Sequence, residues 1–217
     1  MNRGRLVAWT AFVASFAALA YAVNLTTSEG GNHDVVYKYS TFAGGIVEYA
    51  IWLGIVLAIG VGRRDLFALR RPASIGRAAG LAIVVLVGVF LVEVAVDLLP
   101  IENPGKEQGL TPTHWEPSHA GAFAVNLVLF AVIAPFVEEL TFRGLGQSLL
   151  AFLGQWPSIV LIGIAFGLAH GLVEALLVLV PFGIALAWLR ARTDSVFPGM
   201  VVHGLFNALA LVAAVLS

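Results

Sequence analysis

The chain has 217 residues, 59% of them hydrophobic and 12% charged, with a formal net charge of −1 and no cysteine. A soluble domain carries about twice that share of charge, so a mean hydropathy of +0.93 marks an integral membrane protein built as one membrane domain. The missing cysteines exclude a thiol nucleophile, a disulfide frame, iron–sulfur ligation and a cysteine zinc site, and without a basic stripe there is no nucleic-acid partner.

A spanning helix needs about 20 mostly apolar residues. In chain order, runs near 6–23, 41–62, 78–98, 119–138, 156–172, 173–190 and 198–216 predict an all-α bundle of about seven spans. Residues 1–118 form an N-terminal three-helix region with loops, and 119–217 the helices that carry the polar motifs. The connections 24–40 and 99–118 read as irregular loops. Residues 1–20 read as a retained helix, although "ALA" at Ala18–Ala20 would also suit signal-peptide cleavage. With seven spans, Arg3, Arg5, Arg63, Arg64, Arg70, Arg71, Arg77, Arg143, Arg190 and Arg192 all fall on one side, and Lys38 and Lys106 on the other. The positive-inside rule then places the N-terminus in the cytoplasm and the C-terminus outside.

An ionisable side chain inside a bilayer costs at least a few kcal/mol and needs a reason. Three clusters on the late spans raise that question. In "EELTFR", Glu139 and Arg143 are four apart and share a helical face, which predicts an ion pair. Glu138 diverges from its neighbour by about 100° and keeps its carboxylate available. "FGLAH" puts Phe166 and His170 on one face, and "HGLFN" does the same for His203 and Asn207. Singly, each has a structural explanation: snorkelling charges or a satisfied packing histidine. Together they supply a carboxylate, two imidazoles and a carboxamide. A carboxylate at low dielectric is a useful general base, an imidazole can share that work, and an amide can stabilise an oxyanion. Those are the parts for hydrolysing a peptide bond with an activated water.

The order EExxxR, FxxxH, HxxxN resembles the CAAX prenyl protease and bacteriocin-processing family of intramembrane proteases, which includes prokaryotic Abi-type members. The resemblance covers roughly residues 120–210, and "EELTFRG" is similar to the family's usual form, Gly144 included. It implies a membrane-embedded endopeptidase in a prokaryotic cell membrane. Glu138 and His170 would activate water, and His203 and Asn207 would stabilise the oxyanion, with Glu139, Arg143 and Phe166 as structural support. The implied partners are the bilayer and a peptide or protein substrate, lipidated in the family's CAAX-processing members.

HExxH, GxGD and GxSG are absent, so other intramembrane protease classes fit poorly. Two non-enzymatic readings stand beside the protease. One is a membrane scaffold or immunity-type protein that keeps the motifs as structure. The other is a small transporter using Glu93 and Asp97, which lacks the internal repeat such folds often show. Glu48, Glu93 and Asp97 are otherwise read as bundle-facing polar contacts, and Glu174 as solvated. For cofactors, Glu138, His170 and His203 number enough to ligate Zn²⁺, but pairing His203 with Asn207 on an oxyanion favours no obligatory metal. One conflict remains in this reading. Helix rise puts His203 only ~7.5 Å from Pro198 but His170 ~21 Å from Trp156, so the two imidazoles lie at different depths unless "GLGQSLLAFLG" dips back or a span starts deeper.

Overall fold

Apolar runs in a bilayer fold as helices because the hydrocarbon offers backbone N–H and C=O groups no partner. The computed structural model describes residues 3–26, 35–99, 112 and 114–216, and among them there is no strand. Among the described residues seven long helices follow in order: α1 (Arg3–Thr26), α2 (Tyr39–Ile59), α3 (Ile75–Asp97), α4 (Pro117–Leu153), α5 (Gln155–Ala169), α6 (Leu176–Thr193) and α7 (Phe197–Leu216). All except α5 are long and apolar enough to cross a membrane. The chain is an all-α, multi-pass membrane bundle. Residues 27–34 of loop 24–40, and 100–111 and 113 of loop 99–118, Lys106 among them, lie outside the described residues, as do residues 1 and 2.

The core sits around the second half of α4, not at the centre of every helix. Leu140, Phe142 and Leu145 of α4 are buried against Ile159, Ile162 and Phe166 of α5 and Leu186 and Leu189 of α6. Helices α1, α2 and α3 instead leave large apolar side chains such as Leu19, Ile51 and Ile83 exposed on the outside of the bundle. Lipid is as apolar as leucine, so helices here associate by close packing of small residues rather than by hiding apolar ones. The α5–α6 seam follows that rule. A Cβ on Gly163 would stand 2.7 Å from the Ile184 backbone nitrogen, and one on Gly183 would stand 2.8 Å from Gly163 Cα.

The fourth span differs most from expectation. Its run does not end at 138; α4 continues for a further four turns to Leu153. Arg143, expected in a basic loop, is therefore in mid-helix and wholly buried. The helix continues because Glu139 neutralises that charge and because Leu140, Phe142 and Leu145 are core residues. The fifth span is shorter than expected. Helix α5 ends at Ala169, and Gly171 turns the chain at φ +68° against the backbone of Ala20 and Tyr21. Only glycine adopts that conformation at so close an approach without strain.

The seam yields a prediction. Gly163→Ala forces backbone apart and should cost about 1–3 kcal/mol of stability, read as a lower thermal midpoint in detergent. Gly80→Ala, whose Cβ meets nothing within 4 Å, should leave that midpoint unchanged or raise it.

Candidate active site

Helix α4 carries two π-helical stretches, Leu129–Ile133 and Leu140–Gly146, on either side of the paired glutamates. Wide turns of this kind leave carbonyls off the normal ladder, and other helices supply the donors. At the first stretch, the Ala134 amide bonds Leu129 O, five residues back. The next donor in that register belongs to Pro135, which has no N–H. The Asn207 amide of α7 supplies it, Nδ2 donating to Phe130 O at 2.9 Å. At the second stretch, Trp9 Nε1 of α1 donates to Thr141 O at 2.9 Å, and Arg190 Nε of α6 donates to Arg143 O at 3.1 Å.

Between these stretches the two glutamates take different surroundings. Glu139 and Arg143 are both 0% exposed, with Arg143 Nη1 donating to Glu139 Oε1 at 2.8 Å. Arg143 Nη2 donates to Gly183 O at 3.1 Å, and the guanidinium carbon lies 4.2 Å from the centre of the Phe166 ring. The ion pair thus ties α4 to α5 and α6. Glu138, 7% exposed, forms no ion pair with an arginine or lysine among the described residues. Its Oε1 accepts from the Tyr49 hydroxyl of α2 at 3.0 Å, while Oε2 is buried and makes no hydrogen bond within the protein.

The imidazoles complete the group. His203 Nδ1 lies 3.2 Å from Glu139 Oε1 and its Nε2 lies 3.8 Å from Glu138 Oε2, so the ring bridges the two carboxylates. A carboxylate only accepts, which puts a proton on Nδ1 and turns Nε2 toward Glu138. His170 Nδ1 lies 2.8 Å from Phe166 O, and the same logic leaves its Nε2 with a free lone pair. His170 lies within Coulombic reach of Glu138, His203 and Arg143. Both imidazoles pack edge-on to Phe166, with ring centroids 4.7 Å away for His170 and 5.6 Å for His203.

The depth conflict disappears with the long α4. From Glu139 to Leu153 the helix descends ~21 Å, and from Gln155 to His170 its partner climbs ~22 Å. That hairpin returns His170 to the level of Glu139 and of His203. The seven motif residues therefore share one region, although Asn207 is half-buried and one of its N–H groups is engaged by Phe130 O. Asp97 does not face the bundle as expected and is exposed; Glu48 is exposed too, although within Coulombic reach of Glu138, and Glu93 and Glu174 are half-buried. Sequence reasoning passed over Tyr49, Trp9 and Trp52. The only signal for them was a phenol and two indoles in apolar runs, which composition alone does not distinguish from packing.

A helical membrane bundle with a buried carboxylate–imidazole centre is the class that fold and site define. Residues 120–209 match the family model described as type II CAAX prenyl endopeptidase, Rce1-like, the family that the three motifs resemble. The matched segment holds every motif residue and leaves α1, α2 and α3 outside it. No curated protein and no solved structure matches the chain. As a test for zinc, no three His, Asp or Glu side chains among the described residues group closely enough to hold a metal ion. His170 and His203 each turn Nδ1 to a protein acceptor, which leaves Nε2 as the nitrogen that can face a ligand.

Glu139→Gln and Arg143→Gln should each lower stability by roughly 3–5 kcal/mol, since either leaves a lone buried charge. A double-mutant cycle on thermal unfolding checks the coupling. Strongly non-additive losses are expected, and additive ones would show that the two charges do not support each other.

Proposed function

We propose that the protein is an intramembrane endopeptidase of the CAAX-processing type, and that it cleaves with a water molecule activated by Glu138 and His170. The observation that carries this reading is Oε2 of Glu138, a buried acceptor without a protein partner that lies 3.8 Å from His203 Nε2; Glu139 Oε2 is also without a partner, but its carboxylate is held by Arg143. Burying an unsatisfied carboxylate oxygen costs free energy, and a reacting water is the ligand that would repay it. Water placed against Glu138 Oε2 and His170 Nε2 donates to both and turns a lone pair toward the substrate carbonyl. As the carbon–oxygen bond forms, Glu138 takes the proton and later returns it to the leaving amine. His203, carrying a second proton on Nε2 and held by Glu139 through Nδ1, donates to the oxyanion. The second N–H of Asn207 joins it.

The substrate in this proposal is a membrane-associated peptide or protein, lipidated as the family name "CAAX prenyl endopeptidase" indicates. Arg5 meets the chain at the end of α2, and Arg70 and Arg190 meet Asp194 at the end of α6; we assign the end of the bundle that bears them to the cytoplasm of a prokaryotic cell. Residues 119–217 form the catalytic part and 1–118 the N-terminal part. The scaffold alternative draws support from Asn207, whose amide serves the backbone of α4. It gives no account of the unpaired oxygen of Glu138.

Glu138→Gln keeps the side chain's shape and removes the base, so proteolysis of a quenched prenylated CAAX peptide should fall by at least ~10²-fold. The fold, read by thermal midpoint, should survive. Retention of most activity would refute the assignment. The reaction is further proposed to need no metal. Dialysis against a strong chelator should leave activity intact, whereas loss restored by one equivalent of Zn²⁺ would establish a zinc enzyme.

A further inference from the structure

We infer that Tyr49, on α2 and outside the segment that matches the family model, is a positioning residue for Glu138. The inference rests on the proteolytic reading of Glu138, but its geometry stands apart from that reading. The Tyr49 hydroxyl donates to Glu138 Oε1 at 3.0 Å, and that bond is the carboxylate's only hydrogen bond from α2. It occupies one oxygen with a neutral donor and leaves the other facing His203. A cation at the same place would hold the carboxylate in an ion pair, as Arg143 does for Glu139. A phenol fixes direction without taking the charge.

The phenol is itself held. Its ring stacks on Trp52 at a centroid distance of 5.7 Å and an interplanar angle of 16°. Trp52 Nε1 donates to Thr141 Oγ1 at 2.8 Å, and Thr141 Oγ1 in turn donates to Val137 O at 2.8 Å. Thr141 O also accepts from Trp9. A chain of contacts therefore runs from α1 and α2 into the turn that bears Glu138, and Tyr49 is its end at the carboxylate. The charged and titratable groups around Glu138 are Glu48 and Tyr49 from α2, Glu139 and Arg143 from α4, His170 after α5, and His203 from α7. Of these, Tyr49 alone offers a neutral hydroxyl, and Phe removes that hydroxyl with almost no change in shape.

Tyr49→Phe frees both carboxylate oxygens and lets the group rotate out of line with the water. A misplacement of about 1 Å can cost on the order of 10²-fold in rate, so kcat on the prenylated CAAX peptide should fall at least about tenfold with KM little changed. Glu138→Asp, which draws the carboxylate away from the phenol, should lose rate in the same way, and adding Tyr49→Phe to it should cost little more. A second readout needs no activity. The infrared carboxyl band that disappears in Glu138→Gln should shift in Tyr49→Phe and remain in place in Tyr39→Phe, an exposed tyrosine on the same helix. A band shift in a protein that cleaves nothing would keep the positioning and reject the protease. An unmoved band, an unchanged kcat, or a loss confined to KM in folded Tyr49→Phe would overturn the inference.

Discussion

A wholly buried ion pair sets the terms for the rest of the molecule. Arg143 is the largest of the fully buried side chains among the described residues, and its guanidinium is met by Glu139, by the Gly183 carbonyl and by the face of Phe166. Desolvating a charge costs several kcal/mol, and the attraction between partners repays it only with good geometry and further hydrogen bonds. Those conditions constrain sequence at a distance. Gly183 exposes its carbonyl and lets α5 approach, while Gly163 opposite it leaves room for that approach. Gly199 lies so close to Glu139 Oε2 that a Cβ there would stand 2.6 Å from it. The pair thus fixes α4, α5, α6 and α7 about one point.

Chemistry follows from what the pair does not use. Because adjacent residues on a helix diverge by about 100°, anchoring Glu139 toward α6 and α7 sends Glu138 toward α2. There it finds a phenol and an imidazole edge but no arginine or lysine in an ion pair. Two identical side chains, one bond apart in sequence, acquire different roles from surroundings alone. Asn207 reads differently from the other motif residues. Its amide donates to a carbonyl that Pro135 leaves without a helical donor, so it supports the backbone of α4 whatever else it does. His203 also belongs to both worlds, with one nitrogen on the structural glutamate and the other turned to the free one.

Much of this centre was readable from spacing. Residues four apart on a helix meet, which is why Glu139 with Arg143 could be paired on paper and why Phe166 and His170 share a face. The length of α4 was not readable in the same way. A charge after an apolar run ordinarily marks a span end, and only the pairing that neutralises Arg143 lets the helix run on to Leu153. The apparent mismatch in depth between His170 and His203 came from that single boundary. Tyr49 was invisible for another reason. Its role depends on α2 lying beside α4, a contact between positions 89 residues apart that no local pattern encodes. The wide turns of α4 likewise depend on donors from Trp9, Arg190 and Asn207, each from a different helix.

The central claim is that Glu138 faces a reacting molecule while Glu139 holds the frame. Trapping in native membranes tests it most directly, with tagged wild-type, Glu138→Gln and Glu139→Gln proteins crosslinked in place and their membrane partners identified by mass spectrometry. The account predicts that Glu138→Gln alone retains uncut partners whose shortened forms are present in cells with the wild-type protein. The same partners, uncut and in equal amounts, on wild-type and Glu138→Gln protein would contradict it and favour a non-catalytic scaffold.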